Sequence, residues 1–488
     1  MNALNRDLKK MTYSIEEIKR EKVLEDPWAL NFHLMPKVGW LNDPNGLCQF
    51  KGIYHVFFQY SPFDEKGGIK FWGHYTSTDL IHWKDEKVAL YADQPFDCHG
   101  VYSGSSLIDE DKMYLYYTGN VKQIGDYDYI NEGREHNTVL AISEDGKTFN
   151  HKELIMTNKD YGKDMTCHVR DPKVWKEEDT YYMVQGARDT EDVGQIIVFA
   201  SKDKRNWKRV QTLKSEKPFG YMWECPDFFE LDGQKILLLS PQGVEAEGIK
   251  YNNIYQSGYY KVKGDILGDN YELREFEEID RGFDFYAPQT FVDEQGRRIL
   301  IGWMGLPDID ELYSNPTTSY GWQHALTIPR ELKMRHGKLI QQPVKELEEL
   351  RGNKQEVIIE NKASTEETKL DIPNTFELEL IIDTLKSDVD LIIKEGVYLH
   401  YSVANKIFTL SFDACGYGRG ERSVQLEGLQ DIRVFVDTSS LEIFINGGEE
   451  VFTSRFYSKE NKKNLAVRGQ GLKGRLNIWE MKGITIEN

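Results

Sequence analysis

Along the first two-thirds of the chain, apolar and aromatic residues gather in short continuous runs set off by acidic or glycine-containing turns. Five of these stand out: Tyr54-His-Val-Phe-Phe-Gln-Tyr60, Met113-Tyr-Leu-Tyr-Tyr-Thr118, Tyr181-Tyr-Met-Val-Gln185, Ile236-Leu-Leu-Leu-Ser240 and Ile299-Leu-Ile-Gly-Trp303. Such runs, bounded by turns and rich in aromatic and β-branched side chains, predict buried strands. They begin 55 to 68 residues apart, so the pattern is a repeat. A second echo, Ser-x-Asp-x-x-x-aromatic, runs from Ser77 to Trp83, Ser143 to Phe149 and Ser201 to Trp207. In each, a Ser or Asp side chain can close a turn on the backbone while the aromatic pins the turn to the core.

Strand-rich units of about 60 residues match four-stranded blades with long loops. The expectation is an all-β chain in which residues 31–341 form a five-bladed β-propeller. Beyond that point the period is lost. Val344 to Arg351, with Leu347 and Leu350, reads as a short helix in a linker over 342–351. Alternating strands then follow at Glu377–Ile382, Ile407–Phe412, Ile432–Val436 and Leu441–Ile445. That alternation predicts a C-terminal β-sandwich over 352–488, which buttresses the propeller or mediates self-association. Residues 1–30 read as a helical lead-in, because Ser14-Ile-Glu-Glu17 has the form of a capping box and predicts a helix over Tyr13–Leu24.

Charge narrows the function classes. The 488 residues carry 80 Asp plus Glu against 61 Lys plus Arg, a net charge of −19. Such a field repels nucleic-acid backbones and anionic lipid, so neither is an expected partner. Met1 to Arg20 lacks the apolar stretch of a signal peptide, and no segment approaches the ~18 apolar residues of a membrane helix. A cytoplasmic protein with reduced thiols is expected, since the five cysteines include no Cys-x-x-Cys pair. No cofactor is implied. Aromatic residues make up 12% of the chain, a supply suited to strand cores and to platforms for sugar rings.

Upstream of the five runs, at nearly one offset, stand Asn42-Asp-Pro-Asn-Gly46, Ser103-Gly-Ser105, Arg170-Asp-Pro172, Glu224-Cys-Pro-Asp227 and Ala287-Pro-Gln289. Taken singly, the first is good turn chemistry, Arg170-Asp171 a local ion pair and Glu224 a solvated acid. Together they place three acids, Asp43, Asp171 and Glu224, at equivalent repeat positions, which in a closed propeller surround one channel. Crowded carboxylates repel and favour protonation of at least one of them. Carboxyls with separated affinities for protons are what acid-catalysed cleavage of a glycosidic bond requires. A metal site is the rival use, but only His168 stands near these acids.

Trp40-Leu-Asn-Asp-Pro-Asn-Gly46, Tyr102-Ser-Gly-Ser105, Arg170-Asp-Pro172 and Trp223-Glu-Cys-Pro226 resemble the signature motifs of glycoside hydrolase family 32, and Val436 to Asn446 resembles a segment of that family's second domain. Leu41 stands where Met is common, and Tyr102 where Phe is common. The resemblance implies a retaining β-fructofuranosidase acting by double displacement, with Asp43 as nucleophile and Glu224 as general acid and base. Asp171 would stay ionised, helped by Arg170, and grip fructosyl hydroxyls. It further implies a sugar-binding shell of Asn42, Gln59, Trp72, Tyr102, Ser103 and Trp303, and two catalytic carboxyls ~5–5.5 Å apart. With Trp72 a core aromatic is the competing reading, and Cys225 reads as a small buried hydrophobe or a modulator of its neighbour Glu224. The expected partner is a small sugar, sucrose 6-phosphate or sucrose. Alternatives are a short-chain fructan hydrolase or fructosyltransferase, a non-catalytic sugar-binding propeller, and an inverting arabinoside-cleaving propeller.

Overall fold

The computed structural model describes residues 2–363, 366–458 and 463–487. The protein is nearly all-β, with 53% of residues in strands and 8% in helices. Among the described residues, no helix is long and apolar enough to cross a membrane.

The N-terminal helix spans Ala3–Leu24, starting ten residues before the expected Tyr13. Asn2 caps it by accepting the Asn5 N–H, so Ser14 to Glu17 lies within the helix rather than at its start. Nothing between Ala3 and Tyr13 breaks a helix, and propagation upstream is favourable once a cap is present. The helix lies against the first sheet, where Tyr60 Oη donates to Glu16 at 3.0 Å and Lys19 Nζ donates to the Phe63 carbonyl.

Each of the five apolar runs is the second strand of its own sheet, and each polar motif lies on the strand before it. The leading strands are Gly39–Phe50, Val101–Asp109, Met165–Glu177, Met222–Leu231 and Tyr286–Val292. All are paired antiparallel with the runs. They touch in cyclic order: the first contacts the second and so on to the fifth, which contacts the first again. The Ser-x-Asp echo is a turn as expected: Ser77 accepts the N–H groups of Asp79 and Leu80, and Asp79 those of Ile81 and His82. Asp145 and Asp203 repeat the arrangement.

One feature of the leading strands was invisible in the pattern. In all five, pairing with the next strand breaks at the motif: between Leu41 and Pro44, Tyr102 and Gly104, Arg170 and Lys173, Glu224 and Asp227, and Tyr286 and Gln289. Each break holds one residue more on the leading strand than on its partner, a β-bulge, which bends the strand and re-aims its side chains. Asp171, Cys225 and Ala287 adopt positive φ there, at 64°, 48° and 46°.

The C-terminal part holds two six-stranded sheets. Phe376, Leu378, Leu391, Leu399, Phe408, Ile443, Phe452 and Val467 fill the core between them. The expected linker helix is a 3-10 turn at Lys345–Leu350 that buries Leu347 and Leu350. A final strand, Thr485–Glu487, returns to pair in parallel with His82–Asp85 of the first sheet. Buried ion pairs join the two parts: Arg330 with Asp280 and Glu442, Arg419 with Asp284, and His33 with Asp437 and Glu442.

Candidate active site

The bulges bring three acids from three sheets around one cysteine. Cys225 Sγ lies 3.7 Å from Asp43 Oδ2 and 3.7 Å from Asp171 Oδ2, and the Cys225 N–H donates to Asp171 Oδ2 at 2.9 Å. Arg170 lies within 4 Å of both Asp171 and Glu224, and the charge of Glu224 is felt at both Asp43 and Asp171, so the three carboxylates form one cluster.

Asp43 is held by donors. Ser103 Oγ and Gln59 Nε2 donate to its Oδ2, and Asn42 Nδ2 to its Oδ1 at 3.1 Å. Asn42 is fixed in turn by the Trp40 indole N–H and by Gln59, at 2.8 Å each. Burial raises the Asp43 carboxyl above the usual range; the Ser103 hydroxyl opposes the shift and the charge of Glu224 adds to it. At Asp171, burial pushes the carboxyl up to about 7 against the pull of Arg170, with Glu224 and Asp43 adding repulsion. Its backbone N–H donates to Thr118 Oγ1 at 2.9 Å, which secures the strained φ.

Glu224 receives the cation. Arg170 donates from Nε at 3.1 Å and Nη2 at 2.6 Å to Oε1, while Gln242 Nε2 at 2.7 Å and Tyr286 Oη at 2.6 Å donate to Oε2. This corrects an expectation. Arg170 was to hold Asp171 ionised, yet it approaches Asp171 only to 3.9 Å and forks onto Glu224. The geometric reason is the bulge: the positive φ of Asp171 turns its side chain away from that of Arg170 and toward Cys225. Burial, together with the charges of Glu224 and Asp43, outweighs Arg170, which still lowers the Asp171 carboxyl from 3.9 Å.

Asn42, Gln59, Ser103 and Arg170 thus contact the acids, and Tyr102 stands half-buried at the edge of the group. Trp72 does not reach them. It is fully buried among Phe57, Tyr117 and Leu115, and its indole N–H is spent on the Tyr102 carbonyl at 3.1 Å. It is the core aromatic of the competing reading, and it positions Tyr102. Trp303, 2% exposed, packs edge-on against Tyr286 and Trp40 behind the site. Two residues that touch Glu224, Gln242 and Tyr286, escaped the sequence reading. Tyr286 had a signal, since it directly precedes the fifth repeated motif, Ala287-Pro-Gln289. Among the described residues no group of His, Cys, Asp or Glu has the geometry to hold a metal ion.

Carboxyls set in contrasting surroundings, one gripped by amide and hydroxyl donors and another by a guanidinium and a phenol, are the equipment of a glycoside hydrolase. The comparisons agree. The Glycosyl hydrolases family 32 N-terminal domain matches residues 33–343, and the family's C-terminal domain matches 346–480. The chain is 40% identical to the sucrose-6-phosphate hydrolase of Bacillus subtilis, over 99% of this chain and 100% of that one. It is 38% identical to the enzyme of the same name from Vibrio alginolyticus, over 98% and 94%. The solved sucrose-6-phosphate hydrolase from Lactobacillus gasseri superposes with a TM-score of 0.86 at 28% identity, covering 97% of both chains. A Bombyx mori GH32 beta-fructofuranosidase gives 0.84 at 29% identity, covering 99% of this chain and 100% of that one. The chain belongs to glycosyl hydrolase family 32, and it is a glycoside hydrolase.

Proposed function

We propose that the protein is a cytoplasmic retaining β-fructofuranosidase that cleaves sucrose 6-phosphate, and sucrose, to fructose and glucose 6-phosphate or glucose. The observation that carries the reading is the convergence of Asp43, Asp171 and Glu224 from the bulges of three leading strands onto Cys225. The names and extensive likeness of the curated relatives supply the substrate. The cyclic succession of leading strands supports five blades of a propeller over 31–341, with 342–351 leading to a sandwich over 352–488.

Asp43 is the nucleophile in this reading. Donors from Ser103, Gln59, Asn42 and Cys225 fix the carboxylate and leave it to attack the anomeric carbon of the fructosyl unit, forming a covalent ester. Glu224 protonates the departing glucosyl oxygen and then takes a proton from the attacking water. The hydrogen bonds from Arg170, Gln242 and Tyr286 all run into the carboxylate, the arrangement of the base form. Asp171 holds fructosyl hydroxyls, which donate to its carboxylate and stabilise its charge.

The test is hydrolysis of sucrose 6-phosphate and sucrose by the purified protein, with methanol present to intercept the intermediate. Methyl β-fructofuranoside is the expected transfer product. Release of fructose from neither sugar, or an α-linked methyl product, would overturn the proposal.

A further inference from the structure

Beside the acid trio lie two cations, Arg134 and Lys122, that no carboxylate among the described residues answers. Arg170 Nη1 donates to His168 Nδ1 at 2.7 Å. Burial, with Arg170 and Arg134 adding repulsion, drives the His168 imidazole down to about 2, so it is neutral. A neutral ring that accepts at Nδ1 carries its proton on Nε2. That N–H faces the Tyr129 carbonyl at 3.0 Å. Arg134 Nη1 approaches the same Nε2 at 3.4 Å, so there a donor meets a donor. Arg134 Nε is buried with no acceptor at all. Among the described residues no carboxylate pairs with Arg134; its neighbours are Tyr102, Arg170, Cys167 and Tyr129.

Strand register adds a second cation. Lys122 and Arg134 stand directly opposite each other in the antiparallel pair Lys112–Lys122 and Arg134–Ser143. Like charges in that position destabilise a sheet. Lys122 Nζ sits over the Tyr129 ring at 5.7 Å and, among the described residues, has no carboxylate partner either. The half-buried Tyr102 phenol, where the family commonly has Phe, lies within the influence of both Arg134 and Arg170. Gly100 makes room for that ring, since a Cβ there would sit 2.7 Å from it. Lys70, the other lysine near the site, stacks on Trp40 at 4.8 Å and is already attracted by Asp43 and Asp64.

A chain of net charge −19 that sets two cations face to face without an acid between them has a place for an anion. The row Glu224, Arg170, His168, Arg134 runs from the acid at the leaving-group oxygen to that place. We propose that Arg134 and Lys122, with the Tyr102 hydroxyl, bind the 6-phosphate of the glucosyl unit of sucrose 6-phosphate. The proposal rests on the function proposed above and deepens it.

The experiment compares kcat/KM for sucrose 6-phosphate and for sucrose in the wild type, Arg134→Gln and Lys122→Gln, with folding checked by thermal unfolding. A charge-assisted phosphate contact implies that the preference for the phosphorylated sugar falls about 10- to 100-fold in Arg134→Gln and less in Lys122→Gln. Glucose 6-phosphate should inhibit the wild type more strongly than glucose or inorganic phosphate does, and Arg134→Gln should lose that difference. An equal loss on both sugars, or none, would overturn the subsite. A wild type that cleaves sucrose as well as its phosphate would overturn the subsite and leave the fructosidase reading standing; one that cleaves neither sinks that reading itself.

Discussion

Two of the buried acid clusters among the described residues are built in opposite ways. Where the N-terminal sheets meet the C-terminal pair, Asp280, Asp284, Asp437 and Glu442 are matched by Arg330, Arg419 and His33. There burial works against the charge of Asp437 and Glu442, but His33 and Arg330 overcome it and hold both carboxyls below their usual range. At Asp280 burial prevails, and the carboxyl is pushed up. In the pocket, Arg170 lies within 4 Å of Asp171 and Glu224, Asp43 is attracted by Lys70, and burial raises both Asp43 and Asp171. The contrast separates structure from chemistry. The cluster that joins two bodies is largely matched by cations, whereas the one proposed to move protons and hold sugar hydroxyls is left shorter of counter-charge.

The largest expected effect lies in the pocket. Asp43→Asn should lower kcat by about 10⁴-fold or more, as loss of a covalent nucleophile does, without lowering the melting temperature. Steady-state rates with sucrose and a thermal scan check both halves. A melting temperature that falls with activity would make Asp43 a structural acid and erase the contrast.

Next comes the interface. Arg330→Met leaves Asp280 and Glu442 buried without their shared cation, and breaking a buried pair in this way costs about 3–5 kcal/mol. Denaturant unfolding should show that loss while kcat per folded molecule stays within about twofold, because interface and pocket are separate networks.

Asp171 and His33 test the comparison through pH. Because the Asp171 carboxyl is raised in the folded state, its contribution to stability is complete below about pH 4 and is lost as pH rises through about 7. Asp171→Asn should therefore gain stability relative to the wild type as pH rises, on the order of 2–4 kcal/mol by pH 8, while losing activity. His33 is raised to about 8, because Asp437 and Glu442 outweigh its burial. Its contribution is complete below about pH 6.5 and is lost as pH rises through about 8. His33→Gln should then be most damaging at pH 6, with the deficit shrinking by about 2 kcal/mol by pH 9. Unfolding curves at three pH values for each variant distinguish the two: one gains on the wild type, and the other only catches up.

Much of the pocket was legible because repetition is written in sequence. Strand runs and acid motifs recur at one offset, and the Ser77, Ser143 and Ser201 turns close as their side chains dictate. The bulges were not legible, because an extra residue in a strand leaves no mark on the hydrophobic period when both faces are buried. The partner of Arg170 follows from the bulge, and so it was missed as well. Trp72 was misplaced for a related reason: a tryptophan bears the same letter whether its ring meets sugar or Phe57. Gln242 reaches Glu224 from the neighbouring strand, where it pairs with Met222, a contact that the fold makes and no local spacing announces.

The most direct test of the central claim is to trap the covalent intermediate. In Glu224→Gln the attack on an activated aryl β-fructofuranoside needs no acid, but hydrolysis of the ester lacks its base. Intact-protein and peptide mass spectrometry should then find one fructosyl unit attached to the peptide that carries Asp43. No adduct despite turnover, or an adduct on the peptide that carries Asp171, would contradict the assignment of Asp43 as the nucleophile.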